Sequence, residues 1–185
     1  FMRRISALFL SLFLVTAMIS ISDPAQSADT ENTLFMDLED GRVVIEMRPD
    51  LAPKHVARIK QLVRQKFYDG LVFHRVIGGF MAQGGDPNGN GTGGSGVNIP
   101  AEFSSEPHVR GTVSMARSSK PNSGDSQFFI VYARSQWLDG QYTIWGKVTE
   151  GMEHVGNLKR GSSSNNGLVA EPDKIVRMQV AADVK

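Results

Sequence analysis

The run Phe73-His74-Arg75-Val76-Ile77-Gly78-Gly79-Phe80-Met81-Ala82-Gln83-Gly84-Gly85-Asp86 places a charged residue inside an otherwise apolar extended segment. Strand alternation puts Phe73 and Arg75 on one face. Burying a guanidinium among apolar groups is costly without acceptors, and Gln83, three residues past Phe80, is a candidate to supply one. Two readings stand at this point: an edge-strand arginine reaching solvent, or an arginine presented in an apolar pocket with Phe80 and Met81. A second cluster, Ser126-Gln127-Phe128-Phe129-Ile130-Val131, puts Gln127 and Phe129 on one strand face. Phe129 taken alone reads as core.

Working outward, short strands dominate. Leu34, Met36 and Leu38 alternate with Phe35, Asp37 and Glu39, Asp40-Gly41 signals a hairpin, and Val43, Ile45 and Met47 alternate again. A helix follows: Asp50 is a candidate cap, Pro53 suits the first turn, Val56, Ile59, Val63 and Phe67 recur at helical spacing, and Asp69-Gly70 ends it. Further strands are expected over 71–76, 80–83, 112–116, 127–132, 143–148 and 174–181, with a short one near 97–99. A second helix is expected over 150–160, capped by Thr149 and stopped by Gly161. Many short strands with glycine-rich turns and two helices predict a closed or sandwiched β architecture.

The chain has 185 residues, enough for one domain, with 41% hydrophobic and 21% charged residues. Its formal net charge of +1 argues against a broad nucleic-acid-binding surface. The absence of cysteine removes disulfide frameworks, thiol catalysis and thiolate-ligated zinc. Residues 1–27 read as a cleaved signal peptide: Arg3 and Arg4, an apolar stretch from Ile5 to Ile21, then Ala25-x-Ser27 at the cleavage point. The other reading is an uncleaved membrane anchor, since the apolar run is roughly 17 residues, the short end for a spanning helix. Export to a periplasmic or extracellular location follows from the first reading.

Several motifs carry weaker signals. Gly89-Asn90-Gly91-Thr92-Gly93-Gly94 satisfies G-x-G-x-x-G, but no helix pattern follows it, so a flexible surface loop is the expected reading. His55, His74, His108 and His154 form no H-x-x-x-H or H-E-x-x-H pair, which argues against a metal site. No G-x-S-x-G elbow occurs, yet a Ser-His-Asp hydrolase stays open because such triads assemble in space. Ser162-Ser163-Ser164-Asn165-Asn166-Gly167 reads as a polar loop within the domain.

Taken together, the segment Phe73–Asp86, Gly111-Thr-Val-Ser-Met-Ala116, Ser126-Gln-Phe-Phe-Ile130, Trp137-Leu-Asp-Gly140, and Gly146-Lys-Val148 with Gly151-Met152 resemble the cyclophilin family of peptidyl-prolyl isomerases, in the family's order. The match spans nearly all of the chain after the leader and looks most like secreted or periplasmic bacterial members. The resemblance implies a mainly β fold, a cyclophilin-like closed eight-stranded antiparallel β-barrel capped by two α-helices, occupying residues 30–185. It implies a groove on the outside of the barrel. Arg75 would be the catalytic arginine, and Phe80, Met81, Phe129 and Leu138 would form the proline pocket. Gln83 would steady Arg75 and the substrate backbone. Ala116, Arg117 and Gln127 would line the peptide groove, with Arg117 acting through its backbone, and Trp137 would sit at the rim as in members that bind cyclosporin.

Three departures from the family pattern are visible. Tyr142 stands where many members have histidine. The Ser118–Asp125 loop is one residue longer than the common eukaryotic form. Gly78-Gly79 replaces a frequent proline-glycine turn. The partners implied are proline-containing polypeptides and a cyclosporin-type inhibitor, with no cofactor, no nucleic acid, no membrane contact after leader cleavage, and a monomeric state. The alternative from another class is a proline-peptide binding module or holdase with negligible catalysis.

Overall fold

A computed structural model describes residues 29–184, so the expected leader over 1–27 lies outside the described residues. The strands are β1 (Thr33–Leu38), β2 (Gly41–Met47), β3 (Arg75–Ile77), β4 (Met81–Gly84), β5 (Thr112–Met115), β6 (Phe128–Val131), β7 (Ile144–Glu150) and β8 (Ile175–Val180). The helices are α1 (Pro53–Arg64) and α2 (Met152–Gly156). The eight strands form one antiparallel sheet in the order β3-β4-β6-β5-β7-β2-β1-β8. The sheet curls so that its two ends approach, but β3 and β8 form no ladder: Val72, ahead of β3, bridges Lys174, ahead of β8, and Arg75 of β3 bridges Leu168 in a loop. The mainly β, two-helix architecture expected from the sequence is the one observed.

Period-two alternation explains the core. Leu34, Met36 and Leu38 on β1 and Val43, Ile45 and Met47 on β2 are buried, as their spacing predicts. They join Val113, Phe128, Ile130 and Trp145 in the main cluster, to which α1 adds Val56, Ile59, Leu62 and Val63. Fully burying one such side chain contributes ~1.5–3 kcal/mol.

Local readings gave way at four places. The expected strand over 71–76 is reduced to Arg75–Ile77 with an isolated bridge at Val72. Phe73 therefore escapes the alternation: it is 1% exposed in the main core, while Arg75 faces the other side. At α1, Asp50 does not cap. It pairs with Arg48 at 2.7 Å, and the backbone N–H groups of Lys54 and His55 donate instead to Glu102, at 3.1 and 3.0 Å. A carboxylate there also complements the positive end of the helix dipole. The second helix is shorter than expected and starts after Gly151, whose φ of 80° Thr149 would not readily adopt. The strand expected near 97–99 is a single bridge between Ile99 and Gly124.

Three histidines are buried: His55, His74 and His108. Burial lowers the pKa of each, against the carboxylates of Glu102, Asp86 and Asp139 respectively. Each folded pKa lies below the unfolded value of about 6.5, so the unfolded chain binds more protons as the medium is acidified. Their contribution to stability is full above about pH 6.5 and is lost as pH falls through the folded values. Urea midpoints should hold from neutral pH upward and decline as the pH falls below about 6.5, with His74→Gln flattening part of the decline. A midpoint that is flat over that acidic span in the unsubstituted protein would contradict this account.

Candidate functional site

The strands that fill the lumen also build an outer face. On β6, Phe128 and Ile130 point inward, while Phe129 and Val131 point outward into a second apolar cluster with Met81 and Leu138. On β4, Ala82 is inward and Met81 and Gln83 outward. On β3, Val76 is inward and Arg75 and Ile77 outward. Register brings these groups together: Arg75 lies opposite Gln83, and Gln83 opposite Phe129.

The result is a pocket of about 110 Å³ lined by Arg75, Phe80, Met81, Gln83, Phe129 and Leu138, with Ala116, Arg117 and Tyr142 completing it. Nine of the eleven residues expected at the site are thus in one cavity. Gln127 lies in an adjoining pocket of about 340 Å³. Trp137, 62% exposed, stands at the rim with its ring 5.5 Å from that of Phe80. Phe129 is not core in the ordinary sense, because it forms the pocket floor with its ring edge-on to Tyr142 at 5.5 Å. A wider cavity of about 730 Å³ is lined by charged groups such as Asp29, Glu46 and Asp50. Its Arg48 is already paired with Asp50, so it lacks the combination of apolar slot and free donor.

Arg75 is held by three amide oxygens. Its Nε donates to the Asn166 carbonyl at 2.9 Å, Nη2 to Asn166 Oδ1 at 3.0 Å, and Nη1 to Gln83 Oε1 at 3.1 Å. Nη1 also lies 3.9 Å from Met81 Sδ, so of the five guanidinium N–H donors one, on Nη2, is left without a protein partner for a ligand in the pocket. Burial pushes its pKa down, with Tyr142 acting in the opposite direction, yet an arginine stays protonated at any working pH. Its partners are neutral, so no counter-charge cancels its field.

The direction of the amide chain is fixed from its far end. The Gly93 carbonyl can only accept, so Gln127 must present Nε2 to it, at 2.8 Å. Gln127 Oε1 then accepts from Gln83 Nε2 at 2.9 Å, which leaves Gln83 Oε1 for Arg75. Gly93 belongs to the glycine-rich loop, whose fold comes from Asp86. That carboxylate accepts from the amides of Asn88, Asn90, Gly91 and Gly93. Burial would raise its pKa, but these amides outweigh burial and keep it below the ordinary range. No helix follows the loop, as its sequence context predicts.

Asn166 was not singled out by sequence. It sits in the polar 162–167 loop, 91 residues from Arg75, in a left-handed conformation with φ of 50°. Backbone bonds from Val76 to the Gly167 carbonyl (2.8 Å) and from Gly161 to the Val76 carbonyl (3.0 Å) lay the loop along the open side of β3. Gly161 does not stop a helix: a side chain on it would strike the Gly167 carbonyl.

The structure also assembles a Ser-His-Asp chain. Asp139 Oδ1 lies 3.1 Å from His108 Nδ1, and His108 Nε2 lies 2.9 Å from Ser114 Oγ. The Arg134 guanidinium, then the His108 backbone amide, hold the Asp139 carboxyl down at about 2. Ser114 and His108 are both 0% exposed, so the hydroxyl cannot meet a substrate and the hydrolase reading fails. The chain props the pocket instead, since the His108 ring stacks on Phe129 at 6.4 Å and Leu138 adjoins Asp139. Among the described residues, no group of three or more His, Cys, Asp or Glu could hold a metal ion, and no helix is long and apolar enough to cross a membrane.

Three comparisons bear on this geometry. The family model described as "Cyclophilin type peptidyl-prolyl cis-trans isomerase/CLD" matches residues 33–180. The chain is 53% identical over 192 residues to a "Probable peptidyl-prolyl cis-trans isomerase" of Brucella suis, covering 97% of each. Among solved structures it is similar to a cyclophilin of Hirschia baltica, with a TM-score of 0.76 at 30% identity over 85% of this chain and 76% of that one. It is also similar to a cyclophilin-type isomerase of Cryptosporidium parvum crystallised in the presence of the dipeptide Ala-Pro, with a TM-score of 0.73 at 29% identity over 80% of this chain and 98% of that one.

The Arg75 clamp can be checked without a substrate. Asn166→Gly retains access to the left-handed conformation and the carbonyl acceptor but removes Oδ1. NMR of the Arg75 side chain should show the Nε–H signal persisting while rotation about the Nε–Cζ bond accelerates. Rotation as slow as in the unsubstituted protein would show that Oδ1 does not restrain the guanidinium.

Proposed function

The chain belongs to the cyclophilin-type peptidyl-prolyl cis-trans isomerase family and catalyses rotation about peptide bonds that precede proline, and we propose that Arg75 drives this rotation by donating to the prolyl nitrogen of the twisted amide. The observation that carries the proposal is the pairing of an uncancelled guanidinium, one Nη2 donor free, with an apolar slot of about 110 Å³.

Amide resonance sets a rotational barrier of ~18–20 kcal/mol. Exchange about X-Pro bonds therefore takes tens to hundreds of seconds although both isomers are populated. No bond to a leaving group breaks, so the reaction needs neither nucleophile nor cofactor. At the twisted geometry the nitrogen becomes pyramidal and its lone pair accepts a hydrogen bond that the planar amide cannot. A donor placed there stabilises the transition state above the ground state. Bringing the process to milliseconds takes about 10⁴-fold, or ~5.5 kcal/mol. One charged hydrogen bond contributes roughly 1.5–3 kcal/mol. The remainder comes from Phe80, Met81, Phe129 and Leu138 holding the ring while the preceding carbonyl swings, and from removing water around the amide.

The same reading extends to biology. With residues 1–27 serving as a cleaved leader, the enzyme would assist the folding of exported polypeptides in the periplasm or outside the cell, as a monomer. Its ligands would be proline-containing segments, and Trp137 beside Phe80 would offer a rim for a cyclosporin-type inhibitor.

Arg75→Ala should lower turnover of an Ala-Pro tetrapeptide at least tenfold in a protease-coupled assay, with the circular dichroism spectrum unchanged. Full turnover in that folded variant would remove Arg75 from the reaction. A calorimetric titration with cyclosporin should give heat and compete with peptide, and Trp137→Ala should weaken it. Absence of heat in the unsubstituted protein would rule out the rim contact.

A further inference from the structure

We infer that the Arg117 side chain forms a subsite for an acidic residue of the substrate, on the N-terminal side of the proline. This rests on the isomerase reading above and adds a charge preference to it.

Arg117 is a cation fixed in place without a counter-ion. Its Nε donates to the Gln141 carbonyl at 3.0 Å and its Nη1 to the Ser118 carbonyl at 2.9 Å. The guanidinium lies 4.6 Å over the Tyr142 ring, with Phe103 on another side at 5.9 Å. With the Ser119 carbonyl 3.5 Å from Nη1, three neutral carbonyls and two rings thus hold its plane. Among the described residues no Asp or Glu pairs with it, and its Nη2 donates to no protein group. Most exposed arginines lose side-chain freedom when they bind a carboxylate, and much of that cost is absent here because the group is already immobilised.

Its position sets what it meets. Arg117, Gln83 and Ala116 line both the 110 Å³ proline pocket and the adjoining 340 Å³ pocket. Arg75 faces the prolyl nitrogen, the atom acylated by the preceding residue. Gln83, the next group along the amide chain from Arg75, leads from the first pocket into the second. The chain before the proline follows that path and passes Arg117. The only carboxylate in the second pocket, Asp125, does not pair with Arg117: the Ser95 and Gly96 amides, each at 2.9 Å, and the Ser95 hydroxyl hold it in place. The Arg117 guanidinium thus faces the incoming segment with no protein carboxylate bonded to it, and a carboxylate of the substrate supplies the missing partner.

The test uses the whole protein and the protease-coupled assay on Ala-Xaa-Pro-Phe anilides, with Xaa Glu, Gln or Lys, and a second set carrying Glu or Lys one residue earlier. At low ionic strength kcat/KM for Glu should exceed that for Lys by about fivefold in at least one set. In about 1 M salt, where screening acts within ~3 Å, the ratio should approach one. Arg117→Gln should abolish the ratio at low salt, and Arg117→Lys should retain part of it, whatever happens to absolute rates. Equal rates for Glu and Lys in both sets, a ratio indifferent to salt, or a ratio that survives in Arg117→Gln would each overturn the subsite. Turnover of Ala-Ala-Pro-Phe separates the two levels: if it is accelerated while the charge ratio is one, only the subsite fails, whereas no acceleration of any peptide overturns the catalytic reading on which it rests.

Discussion

Everything at the site depends on holding a full positive charge still without neutralising it. A carboxylate would have clamped Arg75 more tightly, but it would also have consumed the field that, in the proposed mechanism, acts on a twisted amide. Amide oxygens from Gln83 and Asn166 fix the plane and leave the charge intact. Because amides both donate and accept, such a clamp needs its polarity set, and the Gly93 carbonyl sets it through Gln127. The glycine-rich loop, read from sequence as mere surface, is therefore the fixed end of the network that aims the arginine.

The barrel supplies the second requirement, a slot that does not collapse. Successive residues of one strand serve two purposes: Phe128 packs the lumen while Phe129 faces the groove, and Ala82 does the first while Met81 and Gln83 do the second. Rigid lumen packing thereby becomes rigid groove geometry. Beneath the groove floor, the Arg134–Asp139–His108–Ser114 chain supports Phe129 with polar groups that are satisfied internally. Three of its members have the chemistry of a hydrolase triad, and burial alone converts them into scaffolding.

What could be read from sequence follows the range of the forces involved. Alternation over β1 and β2 is a local, repeated signal, and it gave both the strands and the inward faces. Resemblance at short motifs gathered nearly all the pocket residues in advance. Single contacts between distant segments left no such trace. Glu102 caps α1 from 47 residues away, and Asn166 reaches Arg75 across 91. Neither lies in a periodic pattern, and Asn166 sits among serines and asparagines typical of any loop. The Phe73–Arg75 face assignment failed because alternation holds only inside a ladder, and the ladder starts at Arg75.

The loop that supplies Asn166 is also the loop whose Gly161 and Gly167 peptides lie along β3, at the one place where the barrel lacks a regular ladder. The join along β3 and the Asn166 part of the grip on Arg75 thus come from one short loop. Warming that loosens this seam would silence the enzyme while most of its sheet stayed intact, so inactivation should run ahead of global melting.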